Sequence, residues 1–185
     1  MPPPAGWGEK EGLDLAVQQV GAALEESRAV GVPLHLENMM ASPLLYSPEA
    51  YRTLAEALPE ARFCLDVGHA ALDGRYFGFP EREIAEALAG HLGSLHLYDN
   101  HLPDEVHFHR PREEGLLRKY PVHPAHQGQP GWIDTRGCLE AALRAQPDVL
   151  VTFEVYYRLD EDHEHTSAGI AWTVEFTEAV AAVGR

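Results

Sequence analysis

The 185-residue chain has few cysteines, little positive charge and no long apolar run, and each shortage removes a class of protein. Two cysteines, Cys64 and Cys138, cannot build a disulfide framework, and the opening MPPPAGWGEK lacks the basic-then-apolar order of a secretory signal. A reducing, cytoplasmic setting is therefore expected. Nothing approaches the roughly 18 consecutive apolar residues that span a bilayer, so no membrane partner is expected. Fourteen Lys and Arg against 29 Asp and Glu leave a net charge of −15, a field that repels phosphate backbones and argues against nucleic acid as a partner. With 45% hydrophobic and 23% charged residues the composition is that of an ordinary globular domain. A single domain over residues 1–185 is expected, with residues 1–10 loose because consecutive prolines fix φ and remove donors. Histidine is the one excess. Of 11, nine fall between His91 and His165, more than a core holds as neutral, satisfied imidazoles, which points to metal or proton chemistry.

The pattern along the chain alternates between helix and strand. Leu13, Val17, Val20 and Leu24 mark one face of a helix over about 12–30, closed by Gly31. The apolar run from Pro33 to Glu37 reads as a strand. Ser47-Pro48 then starts a helix with Tyr51, Leu54 and Leu58 on its inner face, and Pro59 stops it. A strand at 62–66 follows, then a helix from Pro80 bearing Ile84, Leu88 and Leu92, then a strand at 94–99. Residues 100–131 are too long for an ordinary connection and read as a lid or site wall. Asp134 caps a helix carrying Leu139 and Leu143, and residues 149–155 are the most strand-like stretch. Thr166 or Ser167 opens a last helix with Ile170, Val174 and Ala181 on its apolar face. Four apolar strands alternating with helices make an α/β fold with a parallel sheet and right-handed crossovers.

Each strand delivers a ligand-type side chain at or near its C-terminal end: Glu37, Asp66, His96 and Glu154. Any one of them alone could be a solvated loop residue. All four together are a pattern, because strand C-termini of a parallel sheet share one edge, where such folds place their active sites. Three carboxylates and one imidazole suit one divalent ion, Mn²⁺, Mg²⁺, Co²⁺ or Fe²⁺, and can hold Zn²⁺. His69, three residues after Asp66, is close enough in sequence to reach the same place.

The runs LHLENM, FCLDVGHA, LHLYDN and VTFEV, in this order and at these separations, resemble the second half of the xylose isomerase-like TIM barrels, a group of sugar and sugar-phosphate isomerases and epimerases. The resemblance covers about residues 10–182. It implies four strands corresponding to the fifth to eighth of a (βα)8 barrel, with Glu37, Asp66, His96 and Glu154 as the metal ligands. It also implies substrate binding by His69 and, from the segment HPAHQGQPGWID, by His126 or its neighbour His123. Two positions depart from the ketose-epimerase pattern: Leu102 stands where several members carry an arginine, and Pro43 where an acidic residue is usual.

The expected activity is that of an isomerase or epimerase acting on a small sugar, polyol or keto-acid, free or phosphorylated. Glu37 or Glu154 would remove the proton beside a metal-polarised carbonyl, giving an enediolate. A barrel remnant serving as an interaction module is one alternative. An endonuclease IV-like phosphodiesterase is another, which the charge opposes. Because a complete barrel takes about 250 residues, a homodimer or association with a missing N-terminal half is expected, on the ground that strand residues such as Leu34, Leu36, Cys64, Leu97, Val151 and Phe153 would otherwise expose apolar surface. Weaker signals are His163-Glu164-His165, read as a solvated acidic loop, and His107 and His109, read as part of a lid that contacts substrate or as an inert loop. Arg110, Arg112, Arg118 and Lys119 form a basic cluster, read as a solvated loop or as an attractor for a substrate phosphate or carboxylate.

Overall fold

A computed structural model describes residues 9–40, 42, 45–106, 118–154 and 163–183. The chain runs through helix α1 (Glu9–Val30), strand β1 (His35–Glu37), helix α2 (Pro48–Ala57), strand β2 (Arg62–Asp66) and helix α3 (Val67–Phe77). It continues through helix α4 (Arg82–Leu88), a 3₁₀ turn (Ala89–His91), strand β3 (Leu92–Leu97), helix α5 (Thr135–Ala145), strand β4 (Leu150–Phe153) and helix α6 (His163–Val183). Local chemistry sets the boundaries. Ser47 accepts a hydrogen bond from the Ala50 amide at 3.1 Å with Pro48 in the first helical turn, and Asp134 accepts one from the Gly137 amide at 2.9 Å. Gly78, at φ +87°, ends α3 in the left-handed conformation that residues bearing a Cβ avoid.

The four strands form one parallel sheet in the order β1-β2-β3-β4, each hydrogen-bonded to the next in sequence. This is the order of four consecutive strands of a (βα)8 barrel. Alternation along each strand sorts the side chains into two sets. Leu36, Phe63, Leu65, Leu95, Leu97, Val151 and Phe153 face the helices and belong to, or pack against, a core that also holds Tyr51, Leu54, Ile84, Leu88 and Leu139. The alternate residues His35, Glu37, Arg62, Cys64, Asp66, Ser94, His96, Leu150 and Thr152 pair with one another on the other face.

That sorting corrects the expectation of apolar exposure. Among the described residues that other face is predominantly polar, and Leu150, 63% exposed, is its large apolar exception. Leu34, Leu36, Leu97, Val151 and Phe153 turn toward the helices, whereas Cys64 shares a register level with Glu37 on the other side.

Four other details differ from the sequence reading. α1 begins at Glu9, so Glu9 and Lys10 are helical. α3 follows β2 without a loop. β3 stops at Leu97, and Asp99 instead makes an isolated bridge to Tyr120. α6 starts at His163, which places the His-Glu-His run in its first turn, and its inward residues are Gly169, Trp172, Thr173, Phe176 and Val180. Ile170 and Val174 are exposed. The readings on His107, His109, Arg110 and Arg112, and on most of residues 1–10, lie outside the described residues.

The long segment after β3 is anchored where it is described. The bridges Asp99 to Tyr120 and His101 to Trp132 fold it back on the residues that follow β3, and Leu102, Val106, Val122 and Ile133 are buried in the core. α6 touches it backbone to backbone, since a Cβ on Gly169 would stand 1.7 Å from the Val122 carbonyl oxygen. Gly169→Ala is therefore expected to lower stability by about 1–3 kcal/mol, the usual cost of overpacking, read as a lower midpoint in urea. An unpacked helical glycine would respond in the opposite direction, with a gain of up to about 1 kcal/mol, so a stabilised variant would overturn this packing.

Candidate metal centre

Two geometric facts bring the ligand-type residues together. Parallel pairing puts Glu37, Asp66, His96 and Glu154 at one edge, at the last residue of β1, the last of β2, the penultimate of β3 and the residue after β4. The register pairs Asp66 with His96, and the Glu154 amide extends the ladder by donating to the Leu97 carbonyl at 3.2 Å. One ligand atom from each of the four lies within 4.8 Å of the other three. Nδ1 of His96 stands 3.1 Å from Glu154 Oε2, 3.5 Å from Glu37 Oε1 and 4.0 Å from Asp66 Oδ2.

Asp66 is the most tightly held member, fully buried at 0% exposure. Its Oδ1 accepts the Tyr98 hydroxyl at 2.6 Å and the His69 amide at 2.8 Å, the second bond being the N-cap of α3. Asn38 braces it from β1, accepting from the Asp66 amide at 2.6 Å and donating to the Asp66 carbonyl at 3.1 Å. With Oδ1 so occupied, Oδ2 faces the cluster. Burial pushes the Tyr98 phenol well above its ordinary value and the Asp66 charge adds to the rise, so Tyr98 acts as a permanent donor. Burial likewise raises the Cys64 thiol. Gly68 leaves room for Tyr98, because a Cβ there would lie 2.3 Å from the phenol oxygen.

His69 is buried beside the cluster. Its Nδ1 lies 2.9 Å from the Asn38 carbonyl oxygen, 3.6 Å from Glu37 Oε1 and 3.7 Å from Asp66 Oδ2. Lys119, only 8% exposed, reaches in from the segment after β3. Its Nζ lies 2.6 Å from Glu154 Oε2 and 3.2 Å from Asp66 Oδ2, and 4.3 Å from the centre of the Tyr98 ring. Burial pulls its ammonium pKa down, but the hydrogen bond to Glu154 and the charges of Asp66 and Glu154 more than offset this, leaving it above the ordinary lysine value.

The chain belongs to the xylose isomerase-like TIM barrel family. The family's profile matches residues 1–176, and the parallel strand order described above accords with it. No curated protein matches the chain.

For a xylose isomerase-like barrel, the C-terminal edge of the sheet is the functional face, and the four-residue cluster could hold a metal ion there. The atoms suit one. His96 Nδ1 is buried without a hydrogen-bond partner while three carboxylate oxygens stand within 4.0 Å, an arrangement that a shared cation resolves.

His126 lies in a second polar group, built on the buried Asp99. Its Nδ1 is 2.8 Å from Asp99 Oδ2, which also accepts the His123 amide at 2.9 Å, while Thr135 donates to Asp99 Oδ1 at 2.6 Å. The His126 ring stacks on Trp132 at 3.5 Å. His123 enters this group through its backbone, and its Nδ1 accepts from the Ala125 amide at 3.1 Å. Sequence reading missed Asn38, Tyr98 and Asp99 as site-building residues. It grouped Lys119 with a basic patch; of the two described members of that patch, Arg118 is exposed and Lys119 is buried.

Tyr98 donates to Asp66 Oδ1, the oxygen that does not face the cluster, and thereby orients Asp66. Tyr98→Phe is expected to weaken Mn²⁺ binding by about 10-fold or more, the usual loss when a group supporting a ligand is removed, measured by titration calorimetry. Unchanged affinity would show that Asp66 needs no such support.

Proposed function

We propose that the protein is a divalent-metal-dependent isomerase or epimerase of a small sugar, polyol or keto-acid. The observation that carries this reading is the convergence of Glu37, Asp66, His96 and Glu154 around the partnerless His96 Nδ1. A divalent cation held there would supply Lewis acidity to a substrate carbonyl and its neighbouring hydroxyl.

The chain's own residues divide the remaining work by exposure. Asp66, sealed from solvent, serves as a ligand only. Glu37 and Glu154 keep 33% and 27% of their side chains accessible, so each can meet substrate as well as bind the ion. They are the proposed acid and base that remove a proton from one carbon and return one. Lys119 Nζ, 2.6 Å from Glu154 Oε2, fixes the position of that carboxylate in the metal-free protein. His69, beside Glu37, and His126, oriented by Asp99, are proposed to bind the substrate's hydroxyl groups.

Both outer strands, β1 and β4, keep one unpaired side among the described residues, and we propose a second copy of the chain as the partner along them. Light scattering on purified protein should return twice the mass of one chain, and a stable monomer would overturn the pairing.

The functional test uses solvent isotope exchange. In D₂O with Mn²⁺, the protein is expected to place deuterium beside the carbonyl of at least one member of a panel of free and phosphorylated ketoses and hydroxy-keto acids. Glu154→Gln should keep the fold, bind Mn²⁺ more weakly and lose at least about 100-fold in exchange rate, the scale of general-base catalysis. Exchange that survives this substitution would remove Glu154 from the mechanism. A chain that binds no divalent ion and exchanges no substrate would overturn the reading as a whole.

A further inference from the structure

The basic residues are unevenly divided: of 14 Lys and Arg, two are lysines, Lys10 and Lys119. Lys10 is exposed on α1. Lys119 is buried in the candidate metal centre, where an ammonium has no structural need to be unless something there requires positive charge. Three carboxylates, Glu37, Asp66 and Glu154, meet in that small volume. Without a cation they would repel one another and stay poorly solvated. Lys119 answers that need, with Nζ 2.6 Å from Glu154 Oε2 and 3.2 Å from Asp66 Oδ2.

Its position is enforced from the backbone. The Tyr120 amide donates to the Asp99 carbonyl at 2.8 Å and the Asp99 amide donates back to the Tyr120 carbonyl at 2.9 Å, pinning the chain next to Lys119 against the end of β3. The Tyr98 ring lies against Nζ from the same side. The ammonium therefore arrives by construction at two of the oxygens that a metal ion would use.

We infer that Lys119 is the site's own counter-ion in the metal-free protein and that it competes with the divalent cation for Asp66 Oδ2 and Glu154 Oε2. Binding the cation displaces the ammonium from these oxygens, because a transition metal bonds its ligand atoms at about 2.0–2.3 Å and takes the lone pairs aimed into the cluster. Lys119 thereby sets the metal affinity of the site. The inference rests on the metal-centre reading above and adds to it a residue whose effect on affinity has the opposite sign to that of a ligand.

The experiment has two arms, both with Mn²⁺ alone as the probe. In calorimetric titration, Lys119→Met is expected to bind Mn²⁺ about 10-fold more tightly than the unsubstituted protein, a size typical of coupled binding, and Lys119→Arg, which keeps the charge, should reverse most of that gain. Equal or weaker binding by Lys119→Met overturns the competition. The second arm needs no variant. Reductive methylation with mass-spectrometric readout distinguishes the two lysines, and Lys119 should react slowly beside Lys10 in metal-free protein and at least about fivefold faster with saturating Mn²⁺. A Lys119 rate that Mn²⁺ leaves unchanged or lowers also overturns it. If neither the unsubstituted protein nor Lys119→Met takes up Mn²⁺, the metal-centre reading itself fails, a result separate from binding that is merely indifferent to Lys119.

Discussion

One buried carboxylate, Asp66, organises the functional edge of this protein. Its two oxygens have different duties. Oδ1 is committed to the architecture, capping α3 through the His69 amide and taking the Tyr98 hydroxyl from the end of β3. Oδ2 is thereby left to the cluster, within 4.0 Å of His96 Nδ1 and 3.2 Å of Lys119 Nζ. The same side chain starts a helix, joins two strands and aims a ligand atom. Asn38 extends the arrangement to a third strand by clamping both backbone groups of Asp66. Position at this edge is inherited from hydrogen bonds that the fold makes in any case.

The ligand edge was legible because two independent signals coincide. Strand period and chain order send residues 37, 66, 96 and 154 to one edge, and their types are those that bind hard or borderline cations. The supporting residues were not legible, since nothing in the sequence distinguishes Asn38 or Tyr98 from any polar residue near a strand end. α3 was invisible for a physical reason. Residues Val67 to Gly74 are all buried, the polar His69 and Asp73 included, so the helix has no exposed polar face to give an amphipathic period. α6 failed differently: apolar residues surround it, and hydropathy could not tell the inward Trp172 and Phe176 from the outward Ile170 and Val174. Lys119 looked like one of four basic loop residues because burial is decided by tertiary placement.

The sheet separates stability from chemistry. Its helix-facing side carries Phe63, Leu65, Leu95 and Leu97, almost fully excluded from water, and these contribute the bulk of its hydrophobic stabilisation. Its other side carries the histidines and carboxylates. One-residue alternation keeps the two sets apart, so a polar residue is placed for function without an unpaired charge entering the core.

The bridges that anchor the segment after β3 bear on how such a protein diversifies. Asp99 with Tyr120 and His101 with Trp132 fasten that segment to the residues just after β3, while every ligand of the cluster sits at a strand end. Within that segment Leu102, Val106 and Lys119 are buried, so change that spares the ligand geometry falls on its exposed positions. Selection can thus vary one stretch of chain while the edge that carries the four-residue cluster is inherited unaltered.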